Sequence, residues 1–290
     1  MKALVRTAPS RAGVHYWDTW LRCARLAWYD GLARENREPG CLSGILHFDI
    51  GSIFHALLAL HYSLEPDKAA AINTGTLRYH TETGPLETEE YAEAIGEAER
   101  LYRAYRVFWG ARDFGKVLAV EREYEKALGT GEVTAAIDLV VKLSKKDLAR
   151  NKLDGEPGVY LVDHKTRGSR DPAEYEMALR SVQFSTYAAV YGPEVKGFIV
   201  NLAYKGARPT FERILVPRMA LTAEWEVSRG LLETAMREKK AAESLIEVGG
   251  LPEVRPGQGT CFKRSRVGWD FCLHYKSGRC SRKPQHGGRK

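Results

Sequence analysis

The sequence lacks any apolar run near the ~18 residues of a membrane span. Its first ten residues, MKALVRTAPS, lack the apolar centre of a secretion signal. Those absences exclude a membrane partner and set a cytoplasmic location as the expectation. Cysteine is scarce and odd in number, with five residues at positions 23, 41, 261, 272 and 280. Such a set in a cytoplasmic chain argues against a disulfide framework. The tight C-x2-C pair of a zinc ribbon is missing as well. No G-x-x-x-x-G-K-[ST] phosphate loop occurs, which excludes a helicase motor of that type. There is no internal repeat.

What is present is the composition of a globular protein: 290 residues, 44% hydrophobic and 28% charged, enough for a substantial core. The net charge of +7 is concentrated, because residues 261–290 hold nine Lys and Arg against the single acid Asp270. A basic end on a nearly neutral body suits a polyanion, since clustered cations gain from counterion release at phosphates. Residues 281–290 read as a basic, disordered tail.

Helical spacing predicts an amphipathic helix over 10–33 and a second over 47–64, carried by Ile50, Ile53, Phe54, Leu57, Leu58 and His61. Residues 66–85 read as a loop. Residues 87–112 read as a third helix, acidic at its start and basic at its end, which satisfies the helix dipole. The pattern then changes. KVLAVEREYEKAL and GEVTAAIDLVVKL form a hairpin through GTG. A charged turn covers 144–158, a short strand follows in VYLVDHK, and a helix covers 171–191 with Asp171-Pro172 at its start. Two strands at 195–204 and 209–217 and a long helix over 222–247 complete the order. That order implies an α/β fold, a mixed central sheet flanked by helices, with a helical N-terminal section. The expected organisation is one domain over 1–280: helical at 1–112, α/β at 113–247 and cysteine-rich at 248–280.

Two strands carry misplaced charge. Alternation puts Ala136, Asp138 and Val140 on one face of TAAIDLVV. An aspartate there is costly unless it is paired or binds a cation. Asp163 and Lys165 share one face of the later strand, and His164 points to the other. An ordinary ion pair explains Asp163 and Lys165 taken alone. If the two strands are neighbours, Asp138, Asp163 and Lys165 converge, and two close carboxylates call for Mg²⁺ or Mn²⁺. A cation so held activates water, and the lysine orients that water or stabilises charge on a phosphate. The backbone carbonyl of His164 is a further candidate ligand, and His55 on the second helix is a candidate nitrogen ligand. Gln183 and Tyr187, four residues apart, share a helical face and could reach a phosphate.

In this order the residues resemble the PD-(D/E)XK nucleases, and within them the RecB/AddB-like branch. Its marks are a helix histidine after a glycine, a strand G-x-x-D, then D-x-K-T, then Q-x-x-x-Y. The chain offers Gly51 and His55, Asp138, the run DHKT at 163–166, and Gln183 with Tyr187. Ala135 and Ala136 stand where a glycine is common before the aspartate. Glu121 in AVERE matches an acidic position ahead of the G-x-x-D strand. The resemblance implies a restriction-endonuclease-like core that hydrolyses DNA phosphodiesters with Mg²⁺ or Mn²⁺. It makes His55, Asp138 and Asp163 metal ligands, Lys165 the water-positioning cation, and Gln183 with Tyr187 the phosphate side. The expected substrate is DNA with free ends or single strands, digested as an exonuclease in repair, recombination, phage or CRISPR-related processing. Any unwinding would come from a separate helicase or recombination protein. The alternative is a catalytically silent nucleic-acid-binding protein with a metal-stabilised fold.

The late cysteines suit zinc or iron–sulfur when read alone. The resemblance adds a subgroup in which one early cysteine joins three late ones around a [4Fe–4S] cluster. On that pattern Cys23, Cys261, Cys272 and Cys280 are the ligands, zinc is the alternative metal, and Cys41 is left over. A cluster of this kind would close a very long loop between the two chain ends.

Overall fold

The computed structural model describes residues 3–4, 13–14, 16–17, 20, 46–63, 77–78, 80–81, 84–85, 89–110, 113–249, 262–265 and 268–271. All five cysteines, the tail 281–290 and most of the helix expected over 10–33 lie outside these residues. Met1–Val14, Arg37–Ala127 and Glu132–Arg229 form one compact unit; His15–Asn36, Leu128–Gly131 and Gly230–Lys290 form another.

The first unit is built on a five-stranded sheet. Its strands are β1 (Lys116–Leu128), β2 (Gly131–Leu143), β3 (Gly158–Arg167), β4 (Val195–Tyr204) and β5 (Thr210–Pro217), in spatial order β1-β2-β3-β4-β5. Strand β2 runs antiparallel to β3, β3 parallel to β4, and β4 antiparallel to β5. The mixed sheet expected from the sequence is therefore present. Gly129, at φ 55 in the β1–β2 turn, supplies the left-handed backbone a tight hairpin requires.

Helices α1 (Leu46–Ser63) and α2 (Glu89–Trp109) pack against each other. Their apolar stripes share one core with Ala203 and Phe211 of the sheet. Ile53, Phe54, Leu57 and Leu58 are fully buried in it, as the 3.6-residue period demands. A second cluster joins Leu139, Val141 and Leu143 to Tyr160, Val162 and Ile199, so odd residues of β2 share a face with even residues of β3. Between 77 and 85, within the expected loop, pairs of residues form short strand contacts.

Two expectations need correction. The charged stretch after β2 holds a helix, α3 (Lys145–Asn151). Ser144 accepts from the Asp147 N–H at 3.2 Å while Asp147 accepts from the Ser144 N–H at 2.9 Å. That reciprocal cap, with Leu148 buried, is enough to start a helix in a polar sequence. The single helix expected over 171–191 is two, α4 (Glu174–Leu179) and α5 (Val182–Tyr191). Ser181 accepts from the Phe184 N–H and begins a new helix there. Asp171 accepts from the Ala173 N–H in the turn before α4, rather than capping a longer helix.

The long helix α6 covers Arg218–Glu247. In the second unit Leu232, Ala235, Met236 and Ala242 of α6 are buried, as are Trp17 and Trp20. A Cβ on Gly131 would lie 3.1 Å from Met236 Sδ. Residues Phe262–Ser265 pair antiparallel with Gly268–Phe271. Among the described residues no helix is long and apolar enough to cross a membrane.

Candidate active site

The β2–β3 ladder ends at Leu139 opposite Val162. The next step would pair Asp138 with Asp163, and there the strands part. Freed from the ladder, the His164 N–H is taken by Asp138 Oδ2 at 2.8 Å. Two carboxylates thus stand at the mouth of a fork in the sheet.

Each helix layer sends a side chain to that fork. From α1, His55 Nδ1 lies 3.5 Å from Asp138 Oδ2, and His55 is hydrogen-bonded to the His164 backbone. The approach of α1 is close: a Cβ on Gly51 would sit 3.0 Å from Thr166 Oγ1. Glycine lets the helix backbone come that near to the strand. From α5, Gln183 Nε2 donates to Asp163 Oδ1 at 3.3 Å and to the Tyr187 hydroxyl at 3.1 Å. Lys165 Nζ hydrogen-bonds Asp163 Oδ1 at 3.0 Å and lies 2.8 Å from Oδ2. The Oδ2 contact is ionic but outside hydrogen-bond geometry, so that buried oxygen has no hydrogen bond.

Glu121 stands in β1 with φ 46, a left-handed conformation that is uncommon and costly for a residue with a side chain. Its charge acts on both Asp138 and Tyr187. The acidic position ahead of the β2 aspartate therefore lies in the same electrostatic field as the fork.

The electrostatics follow from crowding. Burial first, then the Asp163 and Glu121 charges, push the Asp138 carboxyl well above the usual range. Burial, aided by the Lys165 charge, lowers His55 to about 4, so its ring is neutral with a free nitrogen lone pair at neutral pH. For Lys165, burial opposes the charge, but the Asp163 and Asp138 carboxylates outweigh it and raise the pKa.

Among the described residues, no three His, Cys, Asp or Glu side chains are gathered tightly enough to hold a metal ion as they stand. The donors nevertheless fit one. Two repelling carboxylates, one with a buried oxygen lacking a hydrogen bond, and a neutral imidazole are a donor set for a hard divalent cation.

The His164 ring turns to the other sheet face. There lies a polar group that sequence reading did not single out: Tyr105, Asn151, Asn201 and Arg213 are buried, and His61, Tyr62 and Asp113 are half-buried beside them. The available signal was one polar residue in each of three apolar strands, His164, Asn201 and Arg213. Its meaning depends on register.

The fork thus sets two carboxylates and a lysine together in a mixed sheet flanked by helices. Residues 17–246 match the model of the PD-(D/E)XK nuclease superfamily, and the chain belongs to that superfamily. Among solved structures, a candidate exonuclease from Eubacterium rectale is similar at 14% identity, with TM-score 0.44 over 79% of this chain and 81% of that one. SSO0001 is similar at 11% identity, with TM-score 0.32 over 77% of this chain and 84% of that one. At these scores neither carries an argument about function. No curated protein matches the chain.

Proposed function

We propose that the chain is a Mg²⁺- or Mn²⁺-dependent deoxyribonuclease of the RecB/AddB-like branch, acting as an exonuclease on DNA ends or single strands. The observation that carries this is the fork, which collects Asp138, Asp163, Lys165, His55, Gln183 and Tyr187 from four elements at hydrogen-bond or ion-pair range. Asp138, Asp163, His55 and the His164 carbonyl would hold the cation, with Glu121 as a further acid beside them. Such a cation acidifies water and neutralises phosphate charge when bound. Lys165 orients the attacking water and meets the charge that grows on the phosphate. Gln183 and Tyr187 hold the phosphate side, and Gln183 also fixes the rotamer of Asp163.

A [4Fe–4S] cluster on Cys23, Cys261, Cys272 and Cys280 belongs to the same reading, and a separate partner does any unwinding. Iron content and the visible charge-transfer band should vanish in Cys23→Ser and survive in Cys41→Ser. Zinc without iron would overturn this assignment.

The test of activity is degradation of end-labelled linear and circular single-stranded DNA, with Mn²⁺ or with EDTA. Wild type should digest the linear substrate in Mn²⁺ alone and spare the circle. Lys165→Ala should lose about 10²- to 10³-fold in rate, the scale of one charge-stabilising donor. Equal rates for wild type and Lys165→Ala would overturn the reading.

A further inference from the structure

Strands β3, β4 and β5 each carry one buried polar residue on the face opposite Asp163 and Lys165. The register sets them in a row: His164 opposite Asn201, and Asn201 opposite Arg213. Arginine can only donate. Arg213 Nε lies 3.2 Å from Asn201 Oδ1, so the amide oxygen faces β5 and its nitrogen faces β3. Asn201 Nδ2 therefore donates to the Tyr105 hydroxyl at 2.9 Å and to His164 Nδ1 at 2.7 Å. His164 Nδ1 must accept, which makes the ring neutral with its proton on Nε2.

The same logic directs the rest of the group. The Tyr105 oxygen receives Asn201 and also Arg213 Nη2 at 3.1 Å. Its own proton then goes to Tyr62 at 2.7 Å, and Tyr62 donates to Asp113 Oδ1 at 2.7 Å. Arg213 returns to Asp113 at 3.2 Å. Its guanidinium carbon lies 3.7 Å and 3.6 Å from the ring centroids of Trp109 and Phe114.

This row meets the fork at a single peptide. The His164 N–H holds Asp138 Oδ2, and the His164 backbone is hydrogen-bonded to His55. The His164 ring lies parallel to Tyr62, with an interplanar angle of 3°, and edge-on to His55 with centroids 5.9 Å apart. We propose that Asn201 and His164 are positioning residues of the site. The Asn201 amide fixes the His164 ring as an acceptor, and the ring fixes the peptide from which Asp138 and His55 take their aim.

The inference rests on reading Asp138, Asp163 and His55 as the cation side, so its test measures Mn²⁺ binding as well as cleavage. His164→Leu removes the acceptor with little change in size. It should weaken Mn²⁺ affinity, measured by calorimetry on the folded protein, by about 10- to 100-fold. Single-stranded DNA affinity in EDTA should not change. His164→Asn puts Oδ1 where Nδ1 stood and should keep Mn²⁺ affinity within about threefold of wild type. Asn201→Asp covers the case in which His164→Leu does not fold. It keeps the shape and offers Arg213 a carboxylate, but a carboxylate draws the ring proton from Nε2 onto Nδ1, so the His164 ring is no longer held as an acceptor and the same fall in Mn²⁺ affinity is expected. If folded His164→Leu or Asn201→Asp binds Mn²⁺ like a wild type that cleaves DNA, this inference alone is overturned. A wild type that neither binds Mn²⁺ nor cleaves overturns the nuclease reading, and this inference with it.

Discussion

Asp113 lies just beyond α2 and accepts from His61, Tyr62, Arg213 and the Phe114 N–H. Burial pushes its carboxyl up, but the His61 bond, the Arg213 charge and the Tyr62 bond outweigh it and hold the pKa at about 2, against an ordinary 3.8. The folded value lies below the unfolded one. The stabilisation is therefore complete above the unfolded pKa and is lost as the pH falls through the folded pKa. A separation approaching two units corresponds to about 2 kcal/mol. Asp113→Asn isolates this quantity, because the other carboxylates titrate in both proteins and cancel in the difference. Urea unfolding followed by tryptophan fluorescence, repeated from about pH 5 to about pH 2, gives that difference directly. At the upper end the variant should be weaker by about 3 kcal/mol, since Arg213 is left buried without its counter-charge. The gap should then shrink by about 2 kcal/mol across the series. A gap that stays constant from pH 5 to pH 2 would refute the assignment of that acid-sensitive stability to Asp113.

Two further outcomes bear on how the site and sheet are built. Gly51→Ala should destabilise by about 1–3 kcal/mol through overpacking against Thr166 Oγ1. Most of that loss should return in the Gly51→Ala/Thr166→Ala double variant, so strictly additive unfolding temperatures would contradict the close approach of α1. Ser144→Ala should cost about 1 kcal/mol and expose the Asp147 amide to hydrogen exchange. Unchanged protection there would mean that the reciprocal cap does not hold α3.

The elements that the sequence reveals are those with a strong period. The stripe of α1, the acidic-to-basic run of α2, the hairpin β1–β2 and the strands β4 and β5 each announce themselves over ten or so residues. The fork members are legible for a related reason. Asp138 and Asp163 are charges in apolar strands, and a charge in such a place demands an explanation. Features that depend on a single local bond were missed. The α3 cap lies in a stretch whose only deep apolar anchors are Leu148 and Leu153, and Ser181 restarts a helix inside a pattern that reads as continuous. Features that depend on register were beyond reach. His164, Asn201 and Arg213 are unremarkable one at a time and form a row only when three strands are aligned. The parting of β2 from β3 has no sequence mark at all, since it is defined by where a ladder stops.

That parting also sets a timetable. A local turn closes the hairpin β1–β2, but nothing local holds two aspartates beyond the end of a ladder. Their surroundings arrive from α1, from β3 and from α5, across separations whose chain closure is slow. Refolding from urea should therefore restore the strand hydrogen bonds before the fork, an order that pulse-labelled hydrogen exchange checks. Any property that depends on the fork then reports the final docking step, and a partly folded chain carries the strands without it.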